Sequence, residues 1–392
     1  MSGDTPPHAS SSQGVSGDRR ILVACFETPG YGGASTATYA LFERMQRDGL
    51  DVTYLNLVDA ASEKFLRDTF GANYDNPRRL RNVRTHTLAG AFHQPQPKLA
   101  HLLGEIAPDV VVAVGFIAAL AVKQAAPTTH TIFFTAGCDQ VDRYLRLFGD
   151  ATGVCDAMRT GAEPPLLFHE WERRAVELAD LILVHSPLVR DLCSGFYPYQ
   201  AGKLYPDVIS MAEWIRAEPL QHASLALPFD ARDIDLLFVA SRWDRYEKNF
   251  PFVRGVIEAC RELRVHIVGL AAPPVGNSVR HGLITSRAEL FALMGRSKAV
   301  VCPSLFDAAP GVLFEAEVMG CNVVASKNCG NWALCAPELL VEPATLAEFV
   351  RAARVSVTRP YVHATPIDFG CGYATLLDAC ILVQGSATGC DQ

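Results

Sequence analysis

The chain has 392 residues, enough for two domains with a core each, and its 49% hydrophobic and 20% charged content is that of a globular protein rather than a disordered or fibrous one. A formal charge of −7 argues against duplex nucleic acid as a main partner. The longest apolar run, residues 110–122, is too short to span a bilayer, so no transmembrane segment is expected.

Twelve cysteines form no CxxC pair, and most sit in apolar runs, as at Cys25, Cys260, Cys302 and Cys380. They read as reduced core thiols of a soluble, cytoplasmic protein rather than as disulfides or zinc ligands. Residues 1–18 are rich in Ser, Gly and Pro and lack the apolar stretch of a signal peptide, so a disordered leader is expected there.

A first domain, 19–205, opens with a buried strand at 21–26. Thr28-Pro29-Gly30-Tyr31-Gly32-Gly33 then makes a glycine-rich turn, followed by a helix over 34–47 and a strand over 52–57. The glycines lie at the strand-to-helix turn, where backbone can approach an anion closely. Their spacing is not the dinucleotide GxGxxG, and no acidic residue ends the second strand as read, which discounts a nicotinamide cofactor. Strands are then expected at 83–87, 109–114, 131–135 and 181–185, with helices at 98–106, 117–124, 140–148, 166–179 and 187–196. That alternation is a parallel, doubly wound sheet. Arg78, Arg79, Arg81 and Arg84 form a local basic cluster, which reads either as a solvated loop or as a contact to an anionic acceptor or a membrane surface.

Between 201 and 233 the periodicity weakens and Pro206, Pro219 and Pro228 recur, which places the boundary to a second domain, 206–365. Its first strand, 235–240, runs into Arg242 and Lys248, a fork and a point charge suited to clamp a diphosphate. Surface pairing among Arg245, Glu247 and Lys248 is the competing reading. A helix over 251–263, a strand over 265–270 and a helix over 287–296 follow. The stretch 299–326 is the most informative. A short strand leads through Pro303-Ser304 and Asp307 to Pro310, a helix over about 312–319, Gly320 and another strand at 322–325. Pro310 suits the first helical turn. The free amides of Gly311, Val312 and Leu313 would face an anion, and Asp307 and Glu315 bracket that helix start. A capped helix with two solvated carboxylates reads equally well. After a strand at 339–341 and a helix over 345–357, the segment 366–392 holds a last helix, 371–383, expected to cross back to the first domain before a tail. The fold class is α/β, with two Rossmann-like doubly wound parallel-sheet domains facing across a cleft.

These motifs resemble the GT-B glycosyltransferases, in particular the large retaining family of the GT4 type (glycosyltransferase group 1). That family has a strand, an Arg and then EK(G/N), similar to Arg242 with Glu247-Lys248-Asn249. Its PS…E-x7-E signature, running into LEAMA-x-G-x-PVVAS, is similar to Pro303-Ser304, Asp307, Glu315-Ala316 and Gly320-Cys321-Asn322-Val323-Val324-Ala325-Ser326. Its early GG loop resembles Gly32-Gly33, and ADLILVHS, ending at Ser186, resembles the close of its first domain.

The resemblance implies transfer of a sugar, with retention, from a nucleoside-diphosphate sugar to an acceptor hydroxyl, without a separate cofactor or metal. By position, Arg242 and Lys248 would meet the donor diphosphate and Asp307 would orient the transferred sugar. Pro310 and the amides of Gly311, Val312 and Leu313 would hold phosphate and sugar, Glu315 the ribose, and Gly32 and Gly33 the floor beneath. The acceptor, a small molecule, glycan or peptide, would bind the first domain, with Tyr31, Asp139 and Arg143 as candidates. Two departures stand out: Asp307 is one methylene shorter than the family's glutamate, and no histidine follows the fourth or fifth strand. A catalytically silent nucleotide- or sugar-binding protein and a nucleotide-sugar epimerase of the same architecture are the alternatives.

Overall fold

The structure is a computed structural model describing residues 19–26, 33–61, 63–64, 68, 83–135, 167–342, 344–361 and 372–385. Its strands are β1 (Arg20–Phe26), β2 (Asp51–Asp59), β3 (Val83–Leu88), β4 (Val110–Val114), β5 (Thr131–Phe134), β6 (Leu181–Leu183), β7 (Ile234–Arg242), β8 (Val265–Leu270), β9 (Val279–Arg280), β10 (Ser297–Cys302), β11 (Asn322–Ser326) and β12 (Leu340–Val341). The longer helices are α1 (Gly33–Arg47), α2 (Pro97–Ile106), α3 (Phe116–Ala125), α4 (Leu167–Leu178), α5 (Pro187–Phe196), α6 (Phe250–Ala259), α7 (Arg287–Gly295), α8 (Gly311–Val318), α9 (Leu346–Ser356) and α10 (Gly372–Gly385).

The strands pair in parallel into two six-stranded sheets, ordered β3-β2-β1-β4-β5-β6 and β12-β11-β10-β7-β8-β9. Parallel strands buried on both faces need near-continuous apolar runs, and β1 and β4 supply them. Alternate residues then divide between layers. Val23, Cys25 and Val112 point into a central layer, while Leu22, Ala24 and Val111 point into an outer one. In the second sheet Val300 and Val323 enter that same central layer, and Val301 and Val324 enter a third. One apolar layer is therefore shared by both sheets.

The chain between the sheets is more ordered than its weak periodicity implies. It forms short helical turns at Pro198–Lys203, Ala212–Ile215, Ala217–Gln221, Ala223–Leu225 and Phe229–Ala231. Trp214 and Ile215 bury themselves in the central layer. Arg232 fastens the end of this segment: its buried guanidinium donates to the carbonyls of Leu227, Ser297 and Met319 at 2.9, 2.7 and 3.0 Å. Satisfying several donors at once lets a buried cation persist there. The last helix, α10, packs on β4 and β5 with Leu376 and Ala379 inside.

Two details differ from the sequence reading, and a third expectation is not covered. β9 has only two residues, both exposed, too little pattern to read. β2 runs on to Asp59, so an acidic residue does end it, and the case against a dinucleotide site rests on glycine spacing alone. The helix expected over 140–148 lies outside the described residues. Among the described residues the eight cysteines are buried and none is in a disulfide, and no helix is long and apolar enough to cross a membrane.

Candidate functional site

In both sheets the strand order reverses beside the first strand, between β1 and β4 and between β7 and β10. Such a switch point opens a crevice at the carboxyl ends of the strands. The two carboxyl edges approach each other where Ser186, just after β6, donates its hydroxyl to the carbonyl of Ala308 at 2.7 Å. Most of the motif residues gather at the second switch point.

Arg242 ends β7, and the chain turns through Tyr246–Lys248 into Asn249, which holds the left-handed conformation at φ 56°. Asparagine tolerates that geometry better than most residues. Its side-chain amide donates to the carbonyl of Pro303 at 3.0 Å, and the Leu305 amide donates to the carbonyl of Glu247 at 2.8 Å. The turn after β7 is thereby stitched to the loop after β10. Lys248 is brought to Asp307, Nζ to Oδ2 at 2.5 Å. Burial works against the Lys248 charge, but the Asp307 carboxylate outweighs it and holds the ammonium above its ordinary pKa. Asp307 is fixed in turn: its amide donates to Asn328 at 3.0 Å and its carbonyl accepts from Gly330 at 2.9 Å.

Arg242 does not stand beside Lys248 as a second bare cation. Its guanidinium forks onto Asp244 at 3.0 and 2.6 Å, and both side chains are roughly half exposed, at 44% and 45%. A carboxylate two residues along the same turn is the nearest partner the strand end offers. Arg245 pairs with Glu247, as the surface-pairing alternative expected, while Lys248 leaves that group for Asp307.

The helix start is tighter than its sequence implied. Pro310 sits one residue before α8, at the cap, and its carbonyl accepts from Asn331 and from the Leu313 amide, both at 3.1 Å. Leu313 is therefore committed within the protein. Gly311 and Val312 are left as the amides with no intrahelical acceptor. Glu315, buried in α8, is engaged by Arg287 at the start of α7, whose guanidinium also donates to Glu218 at 3.1 Å and lies 4.6 Å over the Phe291 ring. Burial opposes the Arg287 charge, and the two glutamates outweigh it and raise its pKa. Sequence reading missed Arg287. The available signal was a cation in the first turn behind the Ser286 cap, where it opposes the helix dipole and needs a carboxylate from elsewhere.

Gly33 opens α1 at the first switch point, and a Cβ there would meet nothing within 4 Å. Tyr31, Gly32, Asp139 and Arg143 lie outside the described residues, as do Arg78, Arg79 and Arg81. Arg84 is exposed on β3. Among the described residues no three His, Cys, Asp or Glu side chains converge as a metal site.

No protein-family model and no curated protein matches the chain. Solved structures do. The chain is similar to sucrose-phosphate synthase from Thermosynechococcus elongatus at 17% identity, over 94% of this chain and 98% of that one, with a TM-score of 0.62. It is similar to the catalytic domain of starch synthase IV from Arabidopsis thaliana bound to ADP and acarbose at 12% identity, over 94% and 99%, with a TM-score of 0.59. A third likeness is to UDP-GlcNAc 2-epimerase from Methanocaldococcus jannaschii in complex with UDP-GlcNAc and UDP, at 12% identity over 93% and 100%, TM-score 0.57. At such identities the likeness is one of architecture: the chain has the GT-B fold, two parallel α/β sheets whose carboxyl edges face each other.

Proposed function

We propose that the protein is a retaining glycosyltransferase that moves a sugar from a nucleoside-diphosphate sugar to an acceptor hydroxyl. The observation that carries this reading is the shielded Lys248–Asp307 pair, set at the second switch point beside the start of α8. A departing diphosphate develops charge that must be met by groups already in place. Lys248 and the amides of Gly311 and Val312 supply them from two sides, and Arg242 joins them by exchanging Asp244 for phosphate. Asp307, released from Lys248 by the donor, turns to the sugar hydroxyls. Glu315, oriented by Arg287, accepts from the ribose. The starch synthase structure with ADP and the epimerase structure with UDP lend support as folds that hold such nucleotides. Buried cysteines outside disulfides fit a reducing compartment such as the cytoplasm.

The test is a panel of UDP-, GDP- and ADP-sugars, followed by NMR for released nucleotide and for altered sugar. Slow donor hydrolysis that Lys248→Ala abolishes is the expected result. A C2-epimerised sugar would assign the protein to the epimerases that share this fold. Tight nucleotide binding without turnover on any donor would mean a binding protein.

A further inference from the structure

A second group of side chains lies at the carboxyl edge of the first sheet, apart from the residues above. Helices α2, α3 and α4 pack side by side on the face that holds Leu22, Val111 and Ala113. The loop after β3 brings Phe92 and His93 to their amino ends, α3 opens with Phe116, and Trp171 lies early in α4. The His93 imidazole stacks on the Trp171 indole, with ring centroids 4.1 Å apart and planes 14° from parallel. Phe92 meets His93, Phe116 and Trp171 edge-on at 5.3, 5.7 and 6.1 Å.

Aromatic clusters are ordinarily core, but this one carries unanswered polar atoms. Among the described residues, His93 Nδ1 and Trp171 Nε1 in this cluster are buried without a hydrogen-bond partner, as is Thr135 Oγ1, which lies just past the end of β5 at the same sheet edge. Leaving a buried polar atom unanswered is costly unless a ligand or water meets it. The position adds a second observation. This edge of the first sheet faces the second sheet, and the apolar layer that packs Phe92, Phe116 and Trp171 continues into Phe306 and Ala308, the residues flanking Asp307.

We propose that Trp171, His93 and Thr135 form the acceptor subsite of the transfer proposed above, and that the acceptor it takes is a saccharide. This rests on the glycosyltransferase reading. A pyranose ring offers an apolar C–H face and a rim of hydroxyls, which matches aromatic side chains that carry a few unanswered polar atoms. The indole N–H donates to one hydroxyl, Thr135 both donates and accepts, and His93 Nδ1 takes either role according to its tautomer. An extended peptide would ask instead for unpaired backbone groups, and a lipid for an apolar wall without buried donors.

The experiment uses the full chain, isotope-labelled on nitrogen. Its 4 tryptophans give separate indole N–H resonances, and Trp171→Phe identifies its own by deleting it. The probes are methyl glycosides of glucose, galactose, mannose and N-acetylglucosamine, with UDP, GDP and ADP titrated in parallel. At least one glycoside should shift the Trp171 resonance saturably, and His93→Ala should weaken that glycoside about tenfold or more, the scale of one lost hydrogen bond. If His93→Ala does not fold, His93→Phe keeps the stack and removes only the ring nitrogens. A Trp171 resonance unmoved by every glycoside, or equal affinity in the His93 variant, overturns the subsite. Nucleotide binding beside a silent Trp171 removes the subsite and leaves the donor reading standing. Glycoside binding without any nucleotide binding keeps the saccharide site and removes the donor reading.

Discussion

Lys248 and Asp307 hold each other in a place where neither charge would be comfortable alone. Removing one strands the other, so the two should behave as a unit. Lys248→Ala should lower kcat/KM for the donor on the order of 10²-fold, and Lys248→Ala with Asp307→Ala should lose little beyond the worse single variant. Multiplicative losses would mean that the residues act separately. Arg242→Ala should cost less than Lys248→Ala, because its guanidinium is half exposed and shared with Asp244. Arg287 poses a different problem. Arg287→Met leaves Glu315 buried with no cation, which should remove roughly 3 kcal/mol of stability and raise KM for the donor more than it lowers kcat. Unfolding that matches the parent chain in denaturant would refute that role. The sequence showed Glu315 as a candidate because its motif is local. It hid Arg287 because the pair spans 28 residues and joins side chains of α7 and α8 that only the folded chain brings together.

At the scale of elements, the buried strands were legible and the turns between the sheets were not. β1, β4, β10 and β11 are apolar runs bounded by turns, and a parallel strand buried on both faces has no other way to be written. The turns from 198 to 231 have no comparable pattern, since each is too short to show a helical period and takes its shape from what it packs against. The loop after β10 is set by long-range contacts of this kind. A Cβ on Gly330 would fall 1.8 Å from the Ala308 carbonyl oxygen and 2.5 Å from the Ser186 hydroxyl. Gly330→Ala must therefore displace the loop that carries Asp307, and donor turnover should fall at least tenfold in a chain that still folds. Parent-like turnover in that variant would show that the loop can yield without moving its carboxylate. Near the opposite end of the second sheet, Asp235 ties β7 to Arg264 and Lys298, at 3.1 and 3.0 Å. Burial alone would raise its pKa, but those two cations pull it down to about 2. A lowered carboxyl stabilises the fold above its unfolded value of about 3.9 and loses that contribution as the pH falls toward 2. Asp235→Asn should flatten the decline in Tm between those two pH values, and a decline as steep as the parent's would assign acid sensitivity to other carboxyls.

At the scale of the molecule, the two sheets are coupled by more than their facing edges. The central apolar layer contains Val23 and Val112 from one sheet, Leu237 and Val300 from the other, and Trp214 and Ile215 from the chain between. The last helix completes that layer. Leu376, Ala379 and Cys380 close over it, and Tyr373 donates its amide to Glu213 at 3.4 Å while its ring lies 5.0 Å from the Arg44 guanidinium. A core shared in this way should not melt in halves. Two Rossmann-like units with separate cores would unfold in two steps, each following its own contacts. One continuous layer instead ties loss of either sheet to exposure of the other's inner face. Leu376→Ala tests this, because it removes a fully buried side chain from a helix remote in sequence from both switch points. It should destabilise by about 3 kcal/mol, the usual cost of such a cavity. Circular dichroism and tryptophan fluorescence should both report one transition, moved as a whole to lower denaturant. If the variant resolves two transitions, and only the one belonging to the first sheet has moved, the layer is a contact between two independent cores and the two halves fold apart.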